Sequence, residues 1–252
     1  MTGRMRVGFA VVTGLLGFAA AASAQIPGMP LFTNPRYGTG IRVHADLGQP
    51  SNGGTLGNSY TVVQGGVTFA LGPLGIGANL GTSLQRAKQL AGSDSVGLND
   101  NFTASAILQL RILGGGHNPL AMSLFGGATT EVTAQQIASA SVHYKYPKLM
   151  NFPAGAALGL HVPLGLASLN LWGSGRMVFT KYVSCPAADY PGFQGISQMC
   201  NTTEHNFRWA VGADLPIFSV ISLRAAFDGG KMSGQTVNVW GVGASIGIGG
   251  MR

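Results

Sequence analysis

Nine ionisable side chains share one setting in this sequence: Arg42, His44, Asp46, Arg111, Arg176, Arg208, Asp214, Arg224 and Asp228. Each stands in a stretch where apolar residues recur at every second position, and each takes the alternate place. Arginine and aspartate arranged in this way can pair and neutralise one another, or they can line a polar path for ions. The five arginines outnumber the three aspartates, so an open path would be basic and would favour small anions. Catalysis asks for more than this. His44 and Asp46 are two positions apart, which puts them on one side of a strand, but any strand with a polar inner face produces that spacing. No G-x-S-x-G signature accompanies them. The G-x-G runs Gly241-Val242-Gly243 and Gly247-Ile248-Gly249 lie inside an alternating stretch with no helix after them, so they read as strand glycines and not as phosphate loops. The sequence is therefore expected to encode no enzyme, and it calls for no cofactor.

The two cysteines, Cys185 and Cys200, are 15 positions apart in a segment rich in Pro, Gly and polar residues. A metal site would want more Cys or His than the nearby His205, and a redox centre would want C-x-x-C. The pair reads as a disulfide that closes one loop, worth about 3 kcal/mol in the chain-entropy picture.

The oxidising compartment that this implies agrees with the N-terminus. Arg4 and Arg6 precede an apolar run from Val7 to Ala22, and Ala22-Ser23-Ala24 precedes Gln25. Charge, apolar core and A-x-A in that order predict a secretory signal peptide over 1–24. Without its two arginines the basic count of 15 falls by two against 8 acidic residues, leaving a net charge of +5. That modest excess, with no polybasic run, argues against nucleic acid as a partner. Charged residues make up 9% of the chain, where a soluble domain carries about 25%. A low charge content without a long apolar helix points to a surface that meets lipid, crossed by strands, because only helices and closed barrels satisfy every backbone group there.

The elements that must position the ionisable residues are strands. From Tyr37 onward the period is two, in blocks of about ten residues. Ile41, Val43, Ala45 and Leu47 point one way, with Arg42, His44 and Asp46 opposite. Val63, Val67, Phe69 and Leu71 mark a second strand, and Gly72-Pro73 a tight turn. Leu74, Ile76, Ala78 and Leu80 make a third strand, with Gly75, Gly77, Gly81 and Ser83 opposite. Phe102 to Ile112 makes a fourth with Arg111 on its polar face, and a fifth follows from Leu120. The sixth centres on Phe152 to Val162, and the seventh runs from Leu169 to Phe179 with Arg176. The eighth is Phe207 to Leu215 with Arg208 and Asp214, the ninth Ile221 to Phe227 with Arg224 and Asp228, and the tenth Trp240 to Ile248. Connections alternate between long (near 49–59, 85–101, 131–151, 181–205 and 229–236) and short (72–73, 114–119, 163–166 and 216–219). The fold class predicted is all-β, a ten-stranded antiparallel up-and-down transmembrane barrel. The outward rings Phe102, Phe152, Phe179, Phe207, Trp209, Phe227 and Trp240 lie at the long-connection end, as an interfacial girdle would.

On this pattern, Tyr37 to Ile248 resembles the small bacterial outer-membrane β-barrel proteins, a group that includes attachment, opacity-type and narrow-channel barrels. The resemblance implies a periplasmic segment over 25–36, a barrel over 37–252 and outer-membrane lipid as the surrounding partner. Short turns and both termini would be periplasmic, with the long loops and their cysteines outside. Two readings of the interior follow, an ion-paired structural plug or a narrow basic channel for a small anionic solute. The plug is favoured because an uncompensated buried charge is expensive. A second class of function is surface attachment, with a partner bound through exterior loops that carry Tyr144, Tyr146, Tyr182, Tyr190 and Phe193. A third, outer-membrane hydrolysis, would draw on His44, Asp46 and Asp228, and the sequence gives it little support.

Overall fold

A computed structural model describes residues 33–50, 60–85, 97–98, 101–115, 118–132, 136–138, 143–145, 148–165, 168–183, 203–217, 220–232 and 235–248. The expected signal peptide, Cys185 and Cys200 lie outside the described residues.

Ten long strands build the fold: β1 (Gly40–Pro50), β2 (Tyr60–Leu71), β3 (Leu74–Gln85), β4 (Asn101–Leu113), β5 (Leu120–Glu131), β6 (Lys148–Pro163), β7 (Ser168–Val183), β8 (Thr203–Ile217), β9 (Ile221–Met232) and β10 (Val239–Ile248). Each pairs antiparallel with its neighbours in sequence, and β10 pairs back onto β1 through Ile41↔Ile248 and Leu47↔Val242. The result is a closed, up-and-down barrel without a free edge among these strands. Strand lengths of 10 to 16 residues match or exceed the roughly 9–11 that cross a bilayer at a tilt.

Period-two alternation decides the faces. Ile41, Val43, Leu47, Ile76, Leu80, Leu108, Leu158 and Ile246 are all exposed on the outside, while the residues between them are shielded within. The backbone follows its residue chemistry at the turns as well. Gly72, at φ 56°, makes the β2–β3 reversal with Pro73. Gly114, at φ 79°, has no room for a side chain, since a Cβ would come within 2.0 Å of the Leu120 carbonyl oxygen. Inside β6, pairing with β5 lapses between Ala154 and Asn151 without a change of register. Pro153 lies in that gap, where its missing N–H costs no ladder bond.

Several features depart from the sequence reading. β6 begins at Lys148 and β7 ends at Val183, so the connections flanking them are shorter than 131–151 and 181–205. Tyr182 is consequently not a loop residue: it belongs to β7, is buried, and places its hydroxyl 3.4 Å from a Glu204 carboxylate oxygen. Short strands at Gly97–Leu98, Gln136–Ala138 and His143–Lys145 form a separate three-stranded sheet that joins two long connections. Gln235–Thr236 pairs with the end of β9. The interior is also less polar than alternation implied, because Val62, Phe125, Trp172, Val178 and Val239 are buried there among the charged groups.

Candidate functional site

The nine ionisable residues all project from the inner face of the barrel, in three groups.

The first joins Arg176 of β7, Arg208 of β8 and Asp228 of β9. Arg176 and Arg208 are direct cross-strand partners, an arrangement that is unfavourable for like charges. Asp228 answers both. Its Oδ1 accepts from Arg208 Nε at 2.8 Å and from Arg208 Nη2, and its Oδ2 accepts from Arg176 Nη2. Arg208 Nη2 also donates to the Val237 carbonyl at 3.1 Å. The arginines are 1% exposed and Asp228 3%. One carboxylate thus serves two buried cations, and Arg176 Nε and Nη1 find no partner among the described residues.

The second group joins His44 and Asp46 of β1 to Arg224 of β9. Arg224 Nε donates to Asp46 Oδ1 at 2.8 Å, and its Nη2 donates to the same oxygen. Gly243 of β10 makes this possible, since a Cβ there would sit 2.0 Å from Asp46 Oδ1. His44 lies close to Asp46, but its Nε2 is 3.7 Å from Oδ2, too far for a hydrogen bond. That nitrogen instead bonds Asn79 Oδ1 at 2.8 Å, and Asn79 Nδ2 donates to Ser105 Oγ at 3.0 Å. A general base is oriented by a carboxylate and turned toward a nucleophile. His44 is held by an amide chain across the inner wall.

The third group lies at the short-turn end and includes residues that alternation alone did not single out. Thr33 to Tyr37 tuck into the barrel mouth, with Thr33, Asn34, Pro35 and Tyr37 buried. Asn34 Nδ2 donates to Asp214 Oδ2 at 2.5 Å, and Trp172 Nε1 donates to Oδ1 at 3.2 Å. Tyr37 donates its hydroxyl to the Pro73 carbonyl and accepts from the Arg111 backbone N–H at 3.0 Å. Burial raises the Tyr37 pKa, opposed by that bond and by the Arg111 charge. Arg111 Nη1 donates to the Tyr37 carbonyl and Nη2 to that of Gly72, both at 3.0 Å. The Arg111 guanidinium carbon is 5.2 Å from the Tyr37 ring centre, within cation–π range. Two glycines admit this segment: a Cβ on Gly159 would meet Pro35 at 2.8 Å, and one on Gly75 would meet the Tyr37 ring at 3.2 Å. Arg42 stands nearby, facing an interior cavity of about 610 Å³.

Asn34, Tyr37, Asn79, Phe125 and Trp172 are thus interior residues beyond the nine. For Trp172 the signal was present, since it falls between the outward Leu171 and Gly173 in the alternation of β7. Outside the barrel the aromatic girdle takes shape on three adjacent strands: Phe227 packs between Trp209 and Trp240, with ring centres 5.3 and 4.5 Å away.

No protein-family model matches the sequence, and no curated protein matches it. Among solved structures the chain is similar to the N-terminal β-barrel domain of Pseudomonas aeruginosa OprF, with 10% identity, 84% of this chain and 100% of that one covered, and a TM-score of 0.39. It is similar to the translocator domain of the autotransporter NalP from Neisseria meningitidis, at 15% identity, 86% and 91% coverage and a TM-score of 0.44. A third is the β domain of the Bordetella autotransporter BrkA, at 11% identity, 82% and 98% coverage and a TM-score of 0.36. The likeness is of fold alone.

Proposed function

We propose that this chain is an integral barrel of a bacterial outer membrane whose interior is closed by its own side chains, so that its role is structural rather than conductive. One observation carries the reading: the barrel is inside-out relative to a soluble protein. Leu80, Leu158 and Ile248 are 70%, 61% and 65% exposed on the outer surface, while Arg176 and Arg208 are 1% exposed within. Water cannot be the solvent for that outer face. Lipid fits it, and Arg or Lys placed there near mid-bilayer would cost about 2–4 kcal/mol.

Closure follows from the first two groups. A conducting path leaves its lining side chains accessible to water, and the Arg176, Arg208, Asp228, Asp46 and His44 side chains are almost wholly shielded. Barrels of about eight strands are just wide enough for side chains to fill, and the extra width of ten is taken up here by Trp172, Phe125 and the arginine clusters. The short turns and both termini then face the periplasm and the long connections face outward. This reading needs neither catalysis nor a cofactor. Conductance across a planar bilayer tests it: the account expects no steady current from the purified protein, and a stable open level would refute closure.

A second role is compatible with a closed barrel and is favoured by the three-stranded sheet that ties residues 97–98 to 136–138 and 143–145. Preordered loops lower the entropy lost when a surface partner is bound. Deleting 133–147 should abolish binding of whole cells to that partner while leaving the barrel inserted. Undiminished binding would rule this role out.

A further inference from the structure

The cavity of about 610 Å³ at the short-turn end is lined by Arg36, Arg42, Arg111, His161, Asn170 and Asp214, among others. Its charges do not balance. Three guanidinium groups face one carboxylate, a net of +2, and both Asp214 oxygens are already taken by Asn34 and Trp172. Arg111 hydrogen-bonds only carbonyl groups and lies beside the Tyr37 ring, partners that carry no negative charge to cancel its own. Arg42 makes no hydrogen bond or ion pair with another described residue, and its electrostatic partners are Asp214 and the like-charged Arg224. Arg36 Nε and Nη2 are buried without a partner among the described residues. Burial and the charge of Arg111 lower the Arg36 pKa, so both work against its cationic form. Leaving such buried donors unpaired is unfavourable, and an acceptor placed among them relieves it. Elsewhere in the interior every described arginine bonds a carboxylate directly, Arg176 and Arg208 sharing Asp228 and Arg224 holding Asp46, so the cationic excess is greatest here, at three to one.

We propose that this vestibule binds a small doubly charged oxyanion of the phosphate or phosphate-monoester class. Guanidinium groups match the oxygens of phosphate in geometry as well as charge. A phosphate monoester, with a second pKa of about 6, carries close to the two negative charges required at neutral pH. The volume falls in the range of about 300–1,000 Å³ typical of small-molecule sites, which leaves room for an organic group behind the phosphate. The strands separate the cavity from the lipid on the outer face, so the anion arrives from the aqueous compartment at the short-turn end.

The inference rests on the closed interior proposed above, which makes this a vestibule with one mouth, and its test separates the two. The full mature protein, refolded in detergent micelles and in phosphatidylcholine vesicles, is titrated calorimetrically with inorganic phosphate and with glycerol phosphate. One-site binding is expected, weakened roughly tenfold by Arg36→Gln and again by Arg42→Gln, as the loss of a charge-assisted bond implies. Arg36 lies outside the strands, so Arg36→Gln should keep the heat-dependent gel shift of a folded barrel even if Arg42→Gln does not. Absence of phosphate binding in the parent, or equal binding by folded Arg36→Gln, would overturn the proposal. Loss of phosphate binding when phosphatidylglycerol replaces phosphatidylcholine would reassign the site to a lipid headgroup and overturn the soluble-anion assignment. Steady current from the same preparation would refute the closed interior, while the isotherm still judges the vestibule.

Discussion

Asp228 is the carboxylate on which two buried arginines converge, so Asp228→Asn probes the interior most sharply. The substitution keeps the shape and removes the charge. It leaves Arg176 and Arg208 as direct neighbours, with side chains 0% and 1% exposed. Breaking a buried ion pair costs about 3–5 kcal/mol, and here one carboxylate accepts from Arg176 Nη2, Arg208 Nε and Arg208 Nη2. The upper end, about 5 kcal/mol, is expected. Arg176→Met is the contrasting change. Arg176 has two nitrogens without a partner among the described residues, and its removal leaves a one-to-one Arg208–Asp228 pair, so the cost should stay below about 1.5 kcal/mol. In the Asp228→Asn background the same change should return about 1–3 kcal/mol, a coupling that a double-mutant cycle reads directly. Reversible urea unfolding in vesicles, followed by tryptophan emission, supplies the four stabilities. If Arg176→Met proves as costly as Asp228→Asn, or if the two losses add, the picture of one carboxylate shared by two cations is wrong.

Other perturbations follow from the same faces. Ala225→Arg, on the outer surface of β9, should impair insertion by about 2–4 kcal/mol if the site lies near mid-bilayer, whereas Arg224→Gln on the inner face should still insert; vesicle-insertion yields compare them. Gly243→Val should be destabilising by about 1–3 kcal/mol, because its Cβ would displace Asp46 from Arg224, and urea unfolding measures the loss. Mass spectrometry without reduction should find Cys185 and Cys200 cross-linked in protein taken from cells; two free thiols would count against the pairing. N-terminal sequencing of membrane-extracted protein should begin at Gln25.

The sequence carried the strands and their faces because period two is a local property: each block from Ile41 to Ile248 states its own inside and outside. It did not carry the partners. Arg176 meets Asp228 across 52 positions and Arg224 meets Asp46 across 178, and these pairings are set by barrel closure and stagger. Tyr182 was misplaced because aromatic and hydroxyl residues serve both strand ends and loops, and only the extent of pairing with β6, as far as Val183↔Lys148, decides between them. Asn34 precedes the alternating stretch and Tyr37 stands at its very start, before the first apolar face at Ile41, so periodicity did not mark either as interior. Gly75 makes room for the Tyr37 ring and Gly159 for Pro35, and both read in sequence only as small residues.

The chain's three tryptophans measure the inside-out barrel directly. Trp209 and Trp240 are 41% and 52% exposed on the outer face, and Trp172 is 4% exposed within, bonded to Asp214. Folded protein in vesicles of brominated phosphatidylcholine should show strong quenching in Trp172→Phe, where only the outward pair emits. It should show almost none in Trp209→Phe/Trp240→Phe, where only Trp172 emits. Quenching of Trp172 by lipid bromine, with Trp209 and Trp240 unaffected, would contradict the assignment of the two faces and the membrane barrel built on it.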